Sequence, residues 1–124
     1  MEFVRSIFRS KDLEFLTKNV VLALESIANR FQNDHKFEHA GTFFKLTLKA
    51  AQKVYGERDE YIAYILNRCG NFHFESSELQ EALRLYKQEL EVENVIYPSG
   101  HINIATTLSN IARVYENDND LNQA

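Results

Sequence analysis

Two histidines lie four residues apart in the segment NDHKFEHA, residues 33–40, and imidazole is a common zinc ligand. A helical zinc site of the zincin type places glutamate directly after the first histidine and needs a third ligand elsewhere. In this chain Glu38 instead precedes the second histidine, His39, and the later segments related to this one supply no third ligand. We therefore interpret His35 and its neighbours as a solvated turn, and we predict neither a metal site nor a cofactor.

A second pair, Cys69 and His73, has the spacing of a thiolate beside a general base. Cys69 is the single cysteine of the chain, which excludes an internal disulfide and favours a reducing compartment. Its equivalents in the repeat described below are isoleucines, so we predict a buried core side chain rather than a nucleophile. We expect His101, which follows a Pro-Ser-Gly turn, to cap or pack at the start of a helix. Because no glycine-rich phosphate loop is present either, we predict no catalytic residues and no enzymatic activity.

The composition is that of an ordinary folded protein, with 44% hydrophobic and 26% charged residues among 124. A net charge of −4 gives no general attraction to nucleic acid or to an anionic membrane. The longest apolar run near the N-terminus, residues 20–24, is far shorter than the roughly 20 residues that span a bilayer. We expect a cytoplasmic or nuclear protein that binds neither nucleic acid nor membrane.

Apolar residues recur at steps of three and four, as on one face of an α-helix, and the pattern repeats every 42 residues. The equivalent positions are Leu24, Leu66 and Leu108; Ile27, Cys69 and Ile111; Ala28, Gly70 and Ala112; Phe37, Leu79 and Leu121; and Ala40, Ala82 and Ala124. Each unit is predicted to contain a helix A, a short polar turn and a helix B. We expect these helices at about 12–32 and 36–55, at about 60–74 and 78–97, and at about 102–116, with an aborted helix B from about 120. The small residues are expected to face one another where paired helices approach closely.

This pattern resembles the tetratricopeptide repeat, in which leucine and a small residue on helix A pair with alanine and an aromatic residue on helix B. The matching residues are Leu24, Ala28, Ala40 and Phe44 in the first unit and Leu66, Gly70, Ala82 and Tyr86 in the second. The usual unit has about 34 residues. The longer unit is similar to the kinesin light chain type, as are the segments VYGERDEYIA, ALRLYKQELEV and LSNIARVY.

The resemblance implies an all-α fold, an α-α superhelix built as a right-handed solenoid of antiparallel helix hairpins. We expect about two and a half repeats plus an N-terminal helix. The implied domains are an N-terminal capping or docking segment, 1–19, and a repeat domain, 20–124, with units at about 20–61, 62–103 and 104–124. The last unit is truncated, so its helix A lacks a partner, which favours either a fragment of a longer protein or an oligomer.

The sequence departs from the repeat pattern at five positions. Glu89 and Thr47 stand where alanine is usual on helix B, so we expect helix B to pack loosely there or the carboxylate to turn outward. His73 replaces an aromatic residue, and Tyr61 and Ile102 stand where proline usually begins helix A.

In a stack of such hairpins the A helices line the concave side, and side chains outside the A–B seam project into that groove. The candidate partner-binding residues are Asn29, Tyr64, Asn67, Arg68, Asn71, Thr106, Asn110 and Arg113. Asparagine is a mediocre helix former, but its amide both donates to and accepts from a peptide backbone. We therefore predict a noncatalytic scaffold or adaptor that binds a peptide or partner protein. The competing interpretation is a merely solvated helix face.

The N-terminal segment carries an apolar stripe formed by Phe3, Val4, Ile7 and Phe8. Three interpretations remain open: a helix that covers the first helix A, a contact with a neighbouring copy, and binding to a membrane surface. The second gives the alternative function, a structural module that forms a homo-oligomer through this segment and the exposed terminal helix.

Overall fold

A computed structural model of the chain describes the backbone of residues 17–123 and the side chains of residues 17–119. Within this range the chain forms five α-helices: α1 (Lys18–Asn33), α2 (Phe37–Tyr55), α3 (Glu60–Glu75), α4 (Leu79–Ile96) and α5 (Ile102–Gln123). No strand occurs in the part that the structure describes, so the predicted all-α class is confirmed. Phe3, Val4, Ile7 and Phe8 lie outside the described residues, and the proposed role of their segment stays a prediction.

The chain divides after Gly56 into two compact units, Met1–Gly56 and Glu57–Ala124, here called unit 1 and unit 2. In unit 1, α1 packs against α2. Helices α1 and α3 each begin after a residue whose side chain caps the helix. Thr17 accepts a hydrogen bond from the Val20 amide at 3.4 Å, and Asp59, in unit 2, accepts one from the Tyr61 amide at 2.8 Å. None of the described helices is both long enough and apolar enough to cross a bilayer.

The turns between helices A and B are alike in the two units. His35 and Ser77 occupy equivalent positions and adopt left-handed backbone angles, with φ of 59° and 62°. In each turn the next amide reaches back to the carbonyl five residues earlier, Lys36 to Phe31 at 2.9 Å and Glu78 to His73 at 2.8 Å. This closure satisfies carbonyls at the end of the preceding helix. His35 therefore lies in a structural turn, as the sequence predicts.

The small residues lie where the repeat pattern places them. Ala28, Ala40, Gly70 and Ala82 are all buried. At Gly70 the fit is tight, because an added Cβ would lie 2.6 Å from Cε1 and 2.8 Å from Cδ1 of the Tyr86 ring. The α3–α4 hairpin of unit 2 therefore has room for no side chain at this point.

The end of α5 differs from the prediction. A turn was expected near residues 117–119, but α5 continues as one helix to Gln123. A continued helix keeps the backbone hydrogen bonds that a turn at this point would break. Ala112, which was predicted to face a helix B, is therefore exposed.

Candidate functional site

One face of unit 2 carries polar side chains from three helices. Both α3 and α5 pack against α4. The core beneath them contains Leu79, Ala82, Tyr86 and Val114, with Phe74, Leu83 and Ile111 packed against it. This apolar layer joins the three helices beneath the polar side chains.

Two cavities adjoin on this face. The first has a volume of about 570 Å³ and is lined by Asp59, Glu60, Tyr61, Ala63, Tyr64, Asn67, Glu89, Glu93, Tyr97, Asn103, Thr106 and Thr107. The second, of about 340 Å³, is lined by Asn67, Asn71, Phe74, Glu75, Thr106, Asn110 and Arg113. Asn67 and Thr106 line both cavities and therefore mark their common boundary. We call the lining residues of the two cavities the polar face.

The two asparagines of α3 belong to a chain of hydrogen bonds. The Tyr86 hydroxyl donates to Asn71 Oδ1 at 2.5 Å, Asn71 Nδ2 donates to Asn67 Oδ1 at 3.2 Å, and Asn67 Nδ2 donates to Glu89 Oε1 at 3.4 Å. A primary amide has two N–H donors and two lone pairs, so these bonds use half of each side chain's capacity. The asparagines thus orient the polar face as well as line it, a role that the sequence did not predict.

Two buried carboxyl groups form part of the first cavity. Glu89 and Glu93 are one turn apart on α4, with exposed fractions of 4% and 2%. The expectation that the Glu89 carboxylate turns outward is wrong, because the side chain is buried and accepts a hydrogen bond from Asn67. Burial is the main cause that raises the pKa of Glu89 from 4.5 to about 8, and the charge of Glu93 adds to it, whereas the hydrogen bond from Asn67 lowers the pKa.

Arg113 gives the second cavity its positive charge. Its guanidinium lies over the Phe74 ring, 4.7 Å from the centroid, an arrangement typical of a cation–π contact. It also acts on the Tyr86 hydroxyl. Burial raises the pKa of Tyr86, while the Arg113 charge and hydrogen bond lower it. The two cavities therefore differ in charge, since the residues that line the first include four acids and no lysine or arginine.

Six of the eight predicted partner-binding residues come together on the polar face. They are Tyr64, Asn67, Asn71, Thr106, Asn110 and Arg113. Arg68, also on α3, is half-buried but lines neither cavity, and Asn29 is half-buried on α1 in unit 1. Whether any of them binds a partner stays a prediction.

Sequence reasoning missed the contribution of α4 and of the turn after it. Glu89, Glu93 and Tyr97 line the first cavity although they belong to a helix B or its end. The sequence does mark Glu89, because glutamate replaces the alanine that is usual at this position of helix B. If a buried Glu89 side chain had been expected there, this replacement would have located the first cavity. The position of Thr107 on α5 carried no such signal.

The histidines and the cysteine considered as chemical sites pack against other side chains or cap a helix. The His39 and His35 rings contact aromatic rings, Phe31 at 5.1 Å and Phe37 at 5.8 Å between centroids. Cys69 is buried, as predicted. His101 both caps and packs, since its Nδ1 accepts from the Asn103 amide at 3.1 Å and its ring stacks on Tyr97 at 3.9 Å. Among the side chains of residues 17–119 no group of three or more histidine, cysteine or acidic residues could hold a metal ion.

No protein-family model and no curated protein matches this sequence. Among solved structures, the chain is similar to BtubC (BKLC) from P. vanneervenii, with a TM-score of 0.78 and 19% sequence identity. The match covers 99% of this chain and 50% of the other, so this chain spans about half the length of BtubC. BtubC is a helical repeat protein of the tetratricopeptide type. Likeness at this level of identity concerns the fold alone: the chain has an all-α, tetratricopeptide-like repeat fold, as its sequence predicts.

Proposed function

We propose that the chain is a noncatalytic interaction module whose polar face holds an extended segment of a partner protein. The observation that carries this proposal is the pair of adjoining cavities, which together collect amide, hydroxyl and aromatic side chains from α3 and α5. Amides suit this task because they both donate to and accept from a peptide backbone, whatever its side chains. The tetratricopeptide-like fold also favours a protein-binding role, by analogy alone.

The shape and chemistry of the polar face favour a peptide over a compact ligand. The two cavities continue into each other at Asn67 and Thr106, so an occupant that fills both must be elongated. Tyr64 is 46% exposed and offers an apolar surface at the rim of the first cavity. Arg113 in the second cavity can pair with an acidic group of the partner.

A displayed library of random 12-residue peptides tests this proposal. We expect the full chain to enrich peptides that lose at least tenfold in affinity for Thr106→Arg, because this exposed residue borders both cavities. Ser109→Arg is the matched control, since Ser109 is exposed on the same helix but lines neither cavity. No enrichment, or equal affinity for the wild type and Thr106→Arg, would contradict the proposal.

A second candidate function, self-association, is favoured by the apolar surface of α5. Ile102 is 73% exposed, Leu108 51% and Tyr115 46%. Leu66, the repeat equivalent of Leu108, is fully buried. Leu108 and Tyr115 are seven residues apart and therefore lie on one face of α5. We propose as the alternative that this face packs against a second copy of the chain, because exposed apolar patches mark interaction surfaces.

Light scattering after size exclusion tests the alternative. We expect an oligomer for the wild type between about 10 and 100 µM, a concentration range typical of weak association. Leu108→Asp should shift the mass to that of the monomer, whereas Ser109→Asp, a neighbouring exposed change, should not. A wild-type monomer throughout the range would contradict self-association.

A further inference from the structure

The carboxyl pair of unit 2 occupies positions that hold neutral side chains in unit 1. Glu89 and Glu93 are the repeat equivalents of Thr47 and Ala51, and all four residues are buried. The repeat therefore tolerates small neutral residues at these positions. In unit 2 the same place holds two acidic side chains, whose burial costs free energy unless they are neutralised or paired.

The pair connects three helices. Asn67 of α3 donates to Glu89 Oε1 at 3.4 Å. Thr107 of α5, itself buried, donates to Glu93 Oε1 at 2.5 Å. A side-chain hydrogen bond also joins the two carboxyl groups to each other. The two carboxyl groups thus connect α4 to both α3 and α5 through hydrogen bonds.

The surroundings supply little positive charge to balance two carboxylates. The titratable groups of α3 and its cap that line the same cavity are Asp59, Glu60, Tyr61 and Tyr64. Tyr97, the residue that follows α4, lines it as well. Helix α5 contributes only the neutral Asn103, Thr106 and Thr107. Glu89 also acts on Tyr86 of α4, where the Arg113 charge and that of Glu75 act as well. Ionisation of both carboxyl groups at one buried site is energetically unfavourable, so the pair retains a proton near neutral pH.

Thr107 acts on both carboxyl groups, and its Oγ1 lies 2.5 Å from Glu93 Oε1. A proton shared within the pair lets one carboxyl group donate a hydrogen bond to the other while Glu89 accepts from Asn67. We propose that the Glu89–Glu93 pair is a pH-sensitive switch: with one shared proton it ties α3 and α5 to α4, and loss of that proton loosens the three-helix packing and opens the first cavity. This inference does not depend on the proposed function, because it concerns the free chain.

The direction of the pH effect follows from the pKa of Glu89, which folding raises from 4.5 to about 8. Between these values the folded state binds a proton that the unfolded state has lost. The stabilisation is therefore fully present below about pH 4.5 and is lost as the pH rises through about 8. The ratio of folded to unfolded chain falls by up to about tenfold for each pH unit within this window.

Hydrogen exchange of the full chain at pH values from 5.5 to about 9 tests the switch. In the wild type, protection factors of α5 amides near Thr107, corrected for intrinsic exchange, should fall by up to about tenfold per unit between pH 6 and 8. Glu89→Gln keeps a donor toward Glu93 but cannot titrate, so its protection should lose this dependence. Glu91→Gln, a neighbouring exposed site on the same helix, should behave like the wild type. Equal pH dependence in the wild type and Glu89→Gln would overturn the proposal.

A direct titration keeps the test valid if Glu89→Gln fails to fold. In wild-type chain labelled with ¹³C at the glutamate carboxyl carbons, we expect one resonance to titrate at about pH 8, together with amide shifts in α3 and α5. If every glutamate of the folded chain titrated below about pH 6, the switch would be excluded.

Discussion

The hairpins α1–α2 and α3–α4 follow one repeat but fill its interior differently. Thr47 of α2 is buried, and its hydroxyl donates to the Phe43 carbonyl of its own helix at 2.7 Å. Glu89, its equivalent on α4, takes a hydrogen bond from Asn67 of α3. The Thr47 hydroxyl is satisfied within its own helix, whereas the Glu89 carboxyl also takes a donor from α3. At this repeat position the buried polar side chain of α4 therefore takes a hydrogen bond from a neighbouring helix, whereas that of α2 bonds within its own helix.

The same contrast appears at the buried small residues between helix A and helix B. Ala28 and Phe44 of unit 1 correspond to Gly70 and Tyr86 of unit 2, and all are buried. The Tyr86 ring occupies the space of a Cβ at Gly70, and its hydroxyl bonds to Asn71. Unit 2 thus lacks the Cβ that Ala28 provides in unit 1. In its place lies the Tyr86 ring, whose hydroxyl hydrogen-bonds to Asn71 of the polar face.

The largest effect should come from removal of the helix B ring in either hairpin. Tyr86→Ala and Phe44→Ala should each lower the free energy of unfolding by about 3–5 kcal/mol, because both side chains are fully buried. Urea denaturation of the full chain, followed by circular dichroism, measures the loss. A loss below about 1 kcal/mol for either variant would show that the ring is not part of a well-packed seam there.

A smaller effect is expected when the seam of unit 2 is made to resemble that of unit 1. Gly70→Ala should cost about 1–3 kcal/mol, since the new Cβ overlaps a buried ring. The reverse change, Ala28→Gly, should cost about 1 kcal/mol through helix propensity, and loss of the buried methyl group adds to this cost. If Gly70→Ala stabilised the chain in the same denaturation assay, the ring would be free to move and the contrast between the seams would disappear.

Loss of the Tyr86 hydroxyl should cost still less. Tyr86→Phe gives α4 the phenylalanine of α2 and removes the donor to Asn71, which should lower the free energy of unfolding by about 0.5–1.5 kcal/mol. Tyr97→Phe is the control, because the Tyr97 hydroxyl accepts from Asn103 at an exposed site and should matter less. A larger loss for Tyr97→Phe would place the important hydroxyl outside the chain of hydrogen bonds.

The smallest effect concerns an ion pair that unit 1 does not have. Arg84 Nε donates to Glu81 Oε2 at 3.1 Å on the exposed side of α4, and the equivalent residues of α2 are Thr42 and His39. Arg84→Ala should cost at most about 0.5 kcal/mol, and 1 M salt should remove most of the difference. A salt-independent loss above about 1 kcal/mol would mean that the arginine stem packs as well as pairs.

Periodicity and residue size were enough to predict the helices and much of the polar face. The ends of α2, α3 and α4 lie within about one residue of the expected positions, because glycine, proline and polar turn residues mark them. Tyr64, Asn71 and Thr106 line the cavities as their place on the helices predicts. Spacing on one helix determines which way a side chain projects, so such residues are accessible to sequence reasoning.

Features that depend on a second helix were not predicted. The burial of Glu89 depends on Asn67, which lies on another helix. Likewise, Arg68 lies on α3 beside Asn67, yet it lines neither cavity. The predicted end of α5 at about residue 116 was wrong, because a turn there is favourable only when a returning helix packs against α5.

The left-handed turns at His35 and Ser77 have a practical consequence. The same backbone angle accommodates an imidazole in one repeat and a hydroxymethyl group in the next, and both residues are exposed. The backbone geometry therefore does not require one particular side chain there, and these exposed turns are suitable attachment points for a fluorophore or spin label. A reporter placed at each would be held by the same local backbone geometry, so differences between their signals would report on the units themselves rather than on the linkage.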